Sequence, residues 1–162
     1  MKKIIVIGCP GSGKSTFSKK LHHITGIPLF HLDMLYWNAD KTTVEKSLFS
    51  QRLSQILSQD QWIIDGNYAS TMELRLQHCD TVVFLDYPVE LCLSGIRERQ
   101  GKPRSDMPWT GREECDEAFL EFIKNFQLKS RPEIIRLLKK YPEKNIYIFK
   151  SRAEADDFLL HS

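Results

Sequence analysis

Five apolar runs punctuate the chain: Ile4-Ile5-Val6-Ile7, Ile27 to Leu32, Trp62-Ile63-Ile64, Thr81 to Leu85 and Asn145 to Phe149. They are rich in β-branched and aromatic residues and nearly continuous rather than alternating. That pattern predicts strands buried on both faces of a parallel sheet. Between them, apolar positions recur at helical spacing. Ser15 to Thr25 is one such segment. Thr43 to Ser58 carries Val44, Leu48, Leu53, Ile56 and Leu57, and Val89 to Gln100 begins after Pro88. Glu113 to Leu128 and Pro132 to Tyr141 form a long helical region, with Pro132 suited to a helix's first turn. Ala153 to Leu160 closes the chain. Strands alternating with helices imply right-handed crossovers and a three-layer α/β architecture.

One segment breaks the rhythm. Gly101 to Gly111, GKPRSDMPWTG, mixes prolines, glycines and charges, and it reads as a surface loop or lid. The remaining bulk properties narrow the class. At 162 residues one domain is expected, and 41% hydrophobic content suffices for a sizeable core. A net charge of +2 gives no global field to draw in nucleic acid or an acidic membrane. Cys9, Cys79, Cys92 and Cys115 show no metal-ligand spacing. No signal peptide or membrane-length apolar run is present, so a cytoplasmic protein with reduced thiols is expected.

The chemistry is concentrated at residues 8–15, GCPGSGKS, which match G-x-x-x-x-G-K-[ST] at every fixed position. An apolar strand precedes the motif and a helical pattern follows it, the context such a loop requires. Glycines let backbone N–H groups turn towards phosphate oxygens without Cβ clashes. The helix that follows aims its free N–H groups and partial positive charge at the same anion. Lys14 adds a full charge for the β- and γ-phosphates, and Ser15 supplies a hydroxyl to magnesium. Gly8, Cys9, Pro10, Gly11, Ser12, Gly13, Lys14, Ser15 and Thr16 are therefore the candidate contacts to ATP. The helix N-terminus could also lower the Cys9 thiol pKa and make it oxidation-sensitive.

Several further stretches give the chain a family likeness: HLDMLYW at 31–37, WIIDGNY at 62–68, FLDYP at 84–88 and RERQGKPRSDMP at 97–108. Together with the glycine loop, the chain resembles the adenylate-kinase-related P-loop proteins, and in particular the bacterial FlaR or "DNA topology modulation" group. The resemblance implies a nucleoside-monophosphate-kinase-like P-loop NTPase fold, with a five-stranded parallel sheet and a short lid over about 101–116. It implies transfer of the γ-phosphoryl group of Mg-ATP to a small, nucleotide-like acceptor. A regulatory NTPase and a nucleic-acid-associated protein are the rival readings. No basic stripe or reading helix supports the last, so neither nucleic acid nor membrane is expected as a partner, and a monomer or weak dimer is.

The resemblance also assigns roles. Asp65, at the end of Trp62-Ile63-Ile64 and before Gly66, would hold magnesium with Ser15; an Asp-Gly turn is the plain alternative. The family's Phe-Pro-Arg continuation is replaced here by Asn67-Tyr68-Ala69, which removes an acceptor-binding arginine; Arg75 could replace it. Asp86 would cap the following helix and fix the lid, or else contact metal. Asp33 would bind the acceptor hydroxyl beside Tyr36 and Trp37, or cap a helix within a core that includes His31. Arg99 aligns with a lid arginine, and Arg97, Arg104, Arg131 and Arg136 are further candidates for phosphate charge. The loop at Lys150-Ser151-Arg152 would pack on adenine through its backbone.

Overall fold

In the computed structural model, which describes residues 1–99, 106, 108 and 117–162, all five strands run parallel. They are β1 (Lys3–Gly8), β2 (Leu29–His31), β3 (Trp62–Asp65), β4 (Thr81–Leu85) and β5 (Asn145–Phe149), in the order β2-β3-β1-β4-β5. The helices are α1 (Lys14–Thr25), α2 (Leu32–Tyr36), α3 (Lys46–Leu57), α4 (Ala69–His78), α5 (Val89–Arg99), α6 (Glu117–Lys139) and α7 (Arg152–Leu160). β1, β3 and β4 are buried along almost their whole length, which explains their continuous apolar sequences. From β1 the chain crosses to the edge strand β2, returns to place β3 between them, and then passes to β4 and β5 on the other side of β1. This reversal opens a crevice at the carboxyl end of β1, where ligands of open α/β sheets bind.

Four elements depart from the apolar pattern. β2 and β5 each have a partner on one side only, β2 is half-buried and Tyr147 and Ile148 of β5 are exposed, so both are edge strands rather than strands buried on both faces. The two helices expected around Pro132 form one continuous α6. Pro132 lies on its exposed side, so the carbonyl left without an intrahelical donor can be met by water. The expected start of that region, 113–116, lies outside the described residues. α4 is not expected from the pattern at all. Met72, Leu74 and Leu76 alternate like strand positions, yet Leu74 is exposed and the buried stripe is Thr71, Met72, Arg75 and Leu76 at helical spacing.

Asp86, just past β4, is 5% exposed and joins three elements. Arg131 of α6 donates from Nε at 2.9 and 3.0 Å and from Nη2 at 2.9 Å, Lys150 donates from Nζ, and the Asp86 amide bonds the Phe149 carbonyl at 2.9 Å. Burial works against the charged carboxylate, but Arg131 and Lys150 outweigh it and hold the group below the usual carboxylate range. A depressed folded value means the pairing stabilises at pH well above the unfolded value of about 3.9, and that contribution is lost as pH falls through the lower folded value. Asp86→Asn is expected to cost about 1–3 kcal/mol in urea unfolding at pH 7. The gap from the wild type should shrink at pH 3; an equal gap at both pH values would remove the ion pairs as its cause.

Candidate active site

The phosphate loop leaves β1 at Gly8 and enters α1 at Lys14. Gly11 and Gly13 hold φ of +84° and +92°, the left-handed region that costs other residues a Cβ clash. No acidic residue occupies the first turn of α1, so its N-terminal positive charge is undiminished. The Lys14 Nζ folds back over the loop and donates to the Gly8 carbonyl at 2.9 Å and the Cys9 carbonyl at 3.3 Å. Desolvation pushes its ammonium below the usual lysine range, Asp65, Cys9 and Asp33 oppose that, and Arg99 adds to it. The Ser15 hydroxyl oxygen is buried and meets no hydrogen-bond partner among the described residues.

The loop after β3 forms the opposite wall. The Asn67 side-chain amide grips Gly8 at both ends: its oxygen accepts from Gly8 N at 3.0 Å, and its nitrogen donates to Gly8 O at 2.7 Å. β2 and β3 pair His31 with Asp65 at their carboxyl ends, and His31 Nδ1 lies 2.6 Å from the Asp65 carboxylate. Tyr68 stands at φ +35°, in the left-handed region despite its side chain, and its hydroxyl donates to Asp33. Trp37 borders the same side of the cleft. Arg75 is fully buried and braces this turn. It donates to Thr71 Oγ1 at 3.2 Å, Gly66 O at 3.0 Å, Tyr68 O at 3.2 Å and Asn67 O. It therefore holds the loop rather than an acceptor.

The third side of the crevice is α5, and it meets the phosphate loop backbone to backbone. A Cβ on Gly95 would lie 2.1 Å from the Gly11 carbonyl oxygen, and one on Gly11 would lie 2.1 Å from the Cys92 carbonyl oxygen. The neighbouring Cys92 and burial push the Cys9 thiol up, the opposite of the lowering expected from a helix N-terminus alone. The three walls enclose an open cleft of about 960 Å³, bordered by residues 10–17, Asp33, Trp37, Asp65, Tyr68, Arg99 and Asp106. Its far end is bordered by Tyr87, Arg152, Ala155 and Leu159.

No family model and no curated protein matches the chain. Solved structures do. A shikimate kinase from Acinetobacter baumannii in complex with shikimate aligns over 99% of this chain and 90% of its own, with TM-score 0.64 and 18% identity. A deoxyadenosine kinase from M. mycoides with bound dATP aligns over 98% and 97%, with TM-score 0.55 and 16% identity. The chain has the P-loop kinase fold.

Within that P-loop kinase fold, the candidate residues separate. Pro10 to Thr16 of the glycine loop, with Lys14 among them, and Asp33, Asp65 and Arg99 border the cleft, whereas Gly8 and Cys9 are buried and lie outside its lining. Arg131 and Arg136 do not. Arg131 is engaged by Asp86, and Arg136, exposed on α6, pairs with Glu133 one turn away. Arg97 is exposed on α5 and also lies outside the cleft lining. Arg104 and the lid over 101–116, apart from Asp106 and Pro108, fall outside the described residues. At the expected adenine end, Lys150 turns away to Asp86 and Ser151 caps α7, accepting from Glu154 N at 3.3 Å, while Arg152 borders the cleft. Asn67, Tyr68 and His31 were not legible as site residues, because strand register and a 59-residue separation bring them there.

Proposed function

We propose that this protein is a kinase that transfers the γ-phosphoryl group of Mg-ATP to the hydroxyl of a small molecule. One observation carries the reading. A single cleft joins the phosphate loop and Lys14 to a held carboxylate, Asp33, across from it. A module that only binds or hydrolyses nucleotide needs no such second wall. The neighbouring folds are named for phosphorylating shikimate and deoxyadenosine, both small hydroxyl compounds, which agrees with this reading.

In this reading Lys14 and the loop amides hold the phosphates, aided by the N-terminus of α1. Lys14 leaves the Gly8 and Cys9 carbonyls for phosphate oxygens when ATP arrives. Ser15 and Asp65 are the residues that would hold magnesium. The unpartnered, buried Ser15 hydroxyl and the Asp65 carboxylate on the same cleft are the oxygen donors that ion takes. When bound, magnesium neutralises phosphate charge and orients the phosphate oxygens. The acceptor oxygen bonds to the γ-phosphorus while the bond to the β–γ bridging oxygen breaks. That electron pair leaves with ADP, and the hydroxyl proton passes to Asp33.

Lys14→Ala tests the donor half directly. A charge-assisted contact to phosphate contributes about 1.5–3 kcal/mol, so ATP affinity by calorimetry should fall roughly tenfold to a hundredfold. Unchanged affinity in a folded Lys14→Ala protein would sink the reading.

A further inference from the structure

We infer that His31 is a positioning residue for magnesium: it holds the Asp65 carboxylate by one oxygen and leaves the other for the ion that Asp65 and Ser15 would share. The inference rests on the kinase reading above and adds to it a residue that lies behind the cleft wall.

The first ground is the sheet. β2 and β3 run parallel, with Leu29 opposite Ile63, Phe30 opposite Ile64 and His31 opposite Asp65. Paired residues of neighbouring strands send their side chains to the same face, so register alone brings the imidazole to the carboxylate. The positions that follow lock the pair. Leu32 is fully buried, and a Cβ on Gly66 would lie 3.0 Å from the Leu32 Cβ, so the two strand ends pack against each other. β2 passes straight into α2 at His31, whose backbone is still extended. The imidazole cannot move far without moving both strand ends.

The second ground is the bond itself. His31 Nδ1 stands 2.6 Å from Asp65 Oδ2, and the two side chains are 13% and 9% exposed. Asp65 acts on Lys14 as a negative charge. An ionised carboxylate only accepts hydrogen bonds, so Nδ1 carries the proton and donates. The contact comes from behind, because Asp65 borders the cleft and His31 does not. It takes Oδ2 and leaves Oδ1 for an ion. Magnesium demands near-octahedral geometry and is bound through one or two carboxylates, with water and phosphate supplying the rest. A carboxylate free to turn about its last torsion presents its oxygens in many directions. One held at Oδ2 presents Oδ1 in few.

The third ground is what Asp65 would otherwise turn to. Desolvation lowers the Lys14 ammonium, and Asp65 is the foremost charge opposing that. Lys14 Nζ is nevertheless bonded to the Gly8 and Cys9 carbonyls, and Asp65 to His31. A carboxylate released by His31 would be drawn to the ammonium. Both would then be withdrawn from the nucleotide, the cation from phosphate and the anion from metal. His31 keeps them apart.

The test measures, by calorimetry on the full chain at one fixed pH, the affinity for an ATP analogue with an imido β–γ bridge. Each protein is titrated in EDTA and across a magnesium series. The variants are His31→Asn, His31→Gln and His31→Leu. Asparagine carries an amide N–H at the reach of Nδ1, glutamine carries it one methylene farther, and leucine carries none. Outer partners of metal ligands are worth about 10–100-fold in metal affinity, so the magnesium needed for half of the full response should rise about tenfold or more in His31→Leu and His31→Gln. His31→Asn should stay close to the wild type, and affinity in EDTA should be unchanged in all three. An unaltered magnesium requirement in His31→Leu overturns the inference; should that variant not fold, the same result in His31→Gln does so. An asparagine variant as impaired as the glutamine one also overturns it. So does affinity in EDTA that falls in step with the magnesium response, since a pair that merely braces the fold would behave that way. Wild-type binding that ignores magnesium would instead bring down the assignment of Ser15 and Asp65 to the metal, and this inference with it.

Discussion

Arg99→Ala is expected to lower phosphoryl transfer about a thousandfold while changing ATP affinity less than tenfold. Arg99 ends α5, borders the cleft, and is near enough to Lys14 to depress its ammonium. The γ-phosphoryl group in flight is an anion with its charge spread over equatorial oxygens that a planar guanidinium can meet. An arginine aimed at that charge contributes about 10³-fold or more to turnover. In the proposed function, ground-state ATP is held by the loop amides and Lys14, so binding should change little. Steady-state turnover with an active acceptor, run beside calorimetry, separates the two effects. Normal turnover in the variant would remove Arg99 from the transition state. Equal losses in turnover and affinity would make it a plain binding residue.

Gly95→Ala should destabilise the protein by about 1–3 kcal/mol, where helix propensity alone predicts a gain of roughly 1 kcal/mol. The sign follows from space. The added methyl would stand 2.1 Å from the Gly11 carbonyl oxygen, a backbone atom that no rotamer change can move. Either α5 lifts from the phosphate loop or the loop shifts, and both disturb the proposed ATP site. ATP affinity should fall at least tenfold with the loss of stability. Denaturant unfolding and calorimetry on the same preparation decide it. A variant as stable as the wild type, or more so, would mean that the helix-to-loop seam is looser than its contacts indicate.

The strands buried on both sides were legible from continuous apolar runs, and the phosphate loop from fixed glycine and lysine spacing. The place of Asp65 at the end of β3 was legible because strand end and acidic residue coincide in sequence. What escaped depended on partners far along the chain. Arg131 looks like a phosphate ligand until Asp86, 45 residues earlier, is seen to hold it. Arg75 looks like an acceptor ligand until α4 turns it inward, and α4 itself is masked by the alternation of Met72, Leu74 and Leu76. β5 carries the same apolar signature as the central strands, because composition does not reveal which strand will stand last in the sheet.

The double hydrogen bond from Asn67 to Gly8 has a consequence for rate. It ties the turn that carries Tyr68, and through it Asp33, to the first residue of the phosphate loop. In the proposed transfer, the separation between the attacking oxygen and the γ-phosphorus would then be fixed largely when the chain folds, before either substrate arrives. Well-oriented partners of this kind can react as though present at about 10⁵ M or more. The entropy of bringing donor and acceptor into line is met once, in folding, and need not be met again at each turnover.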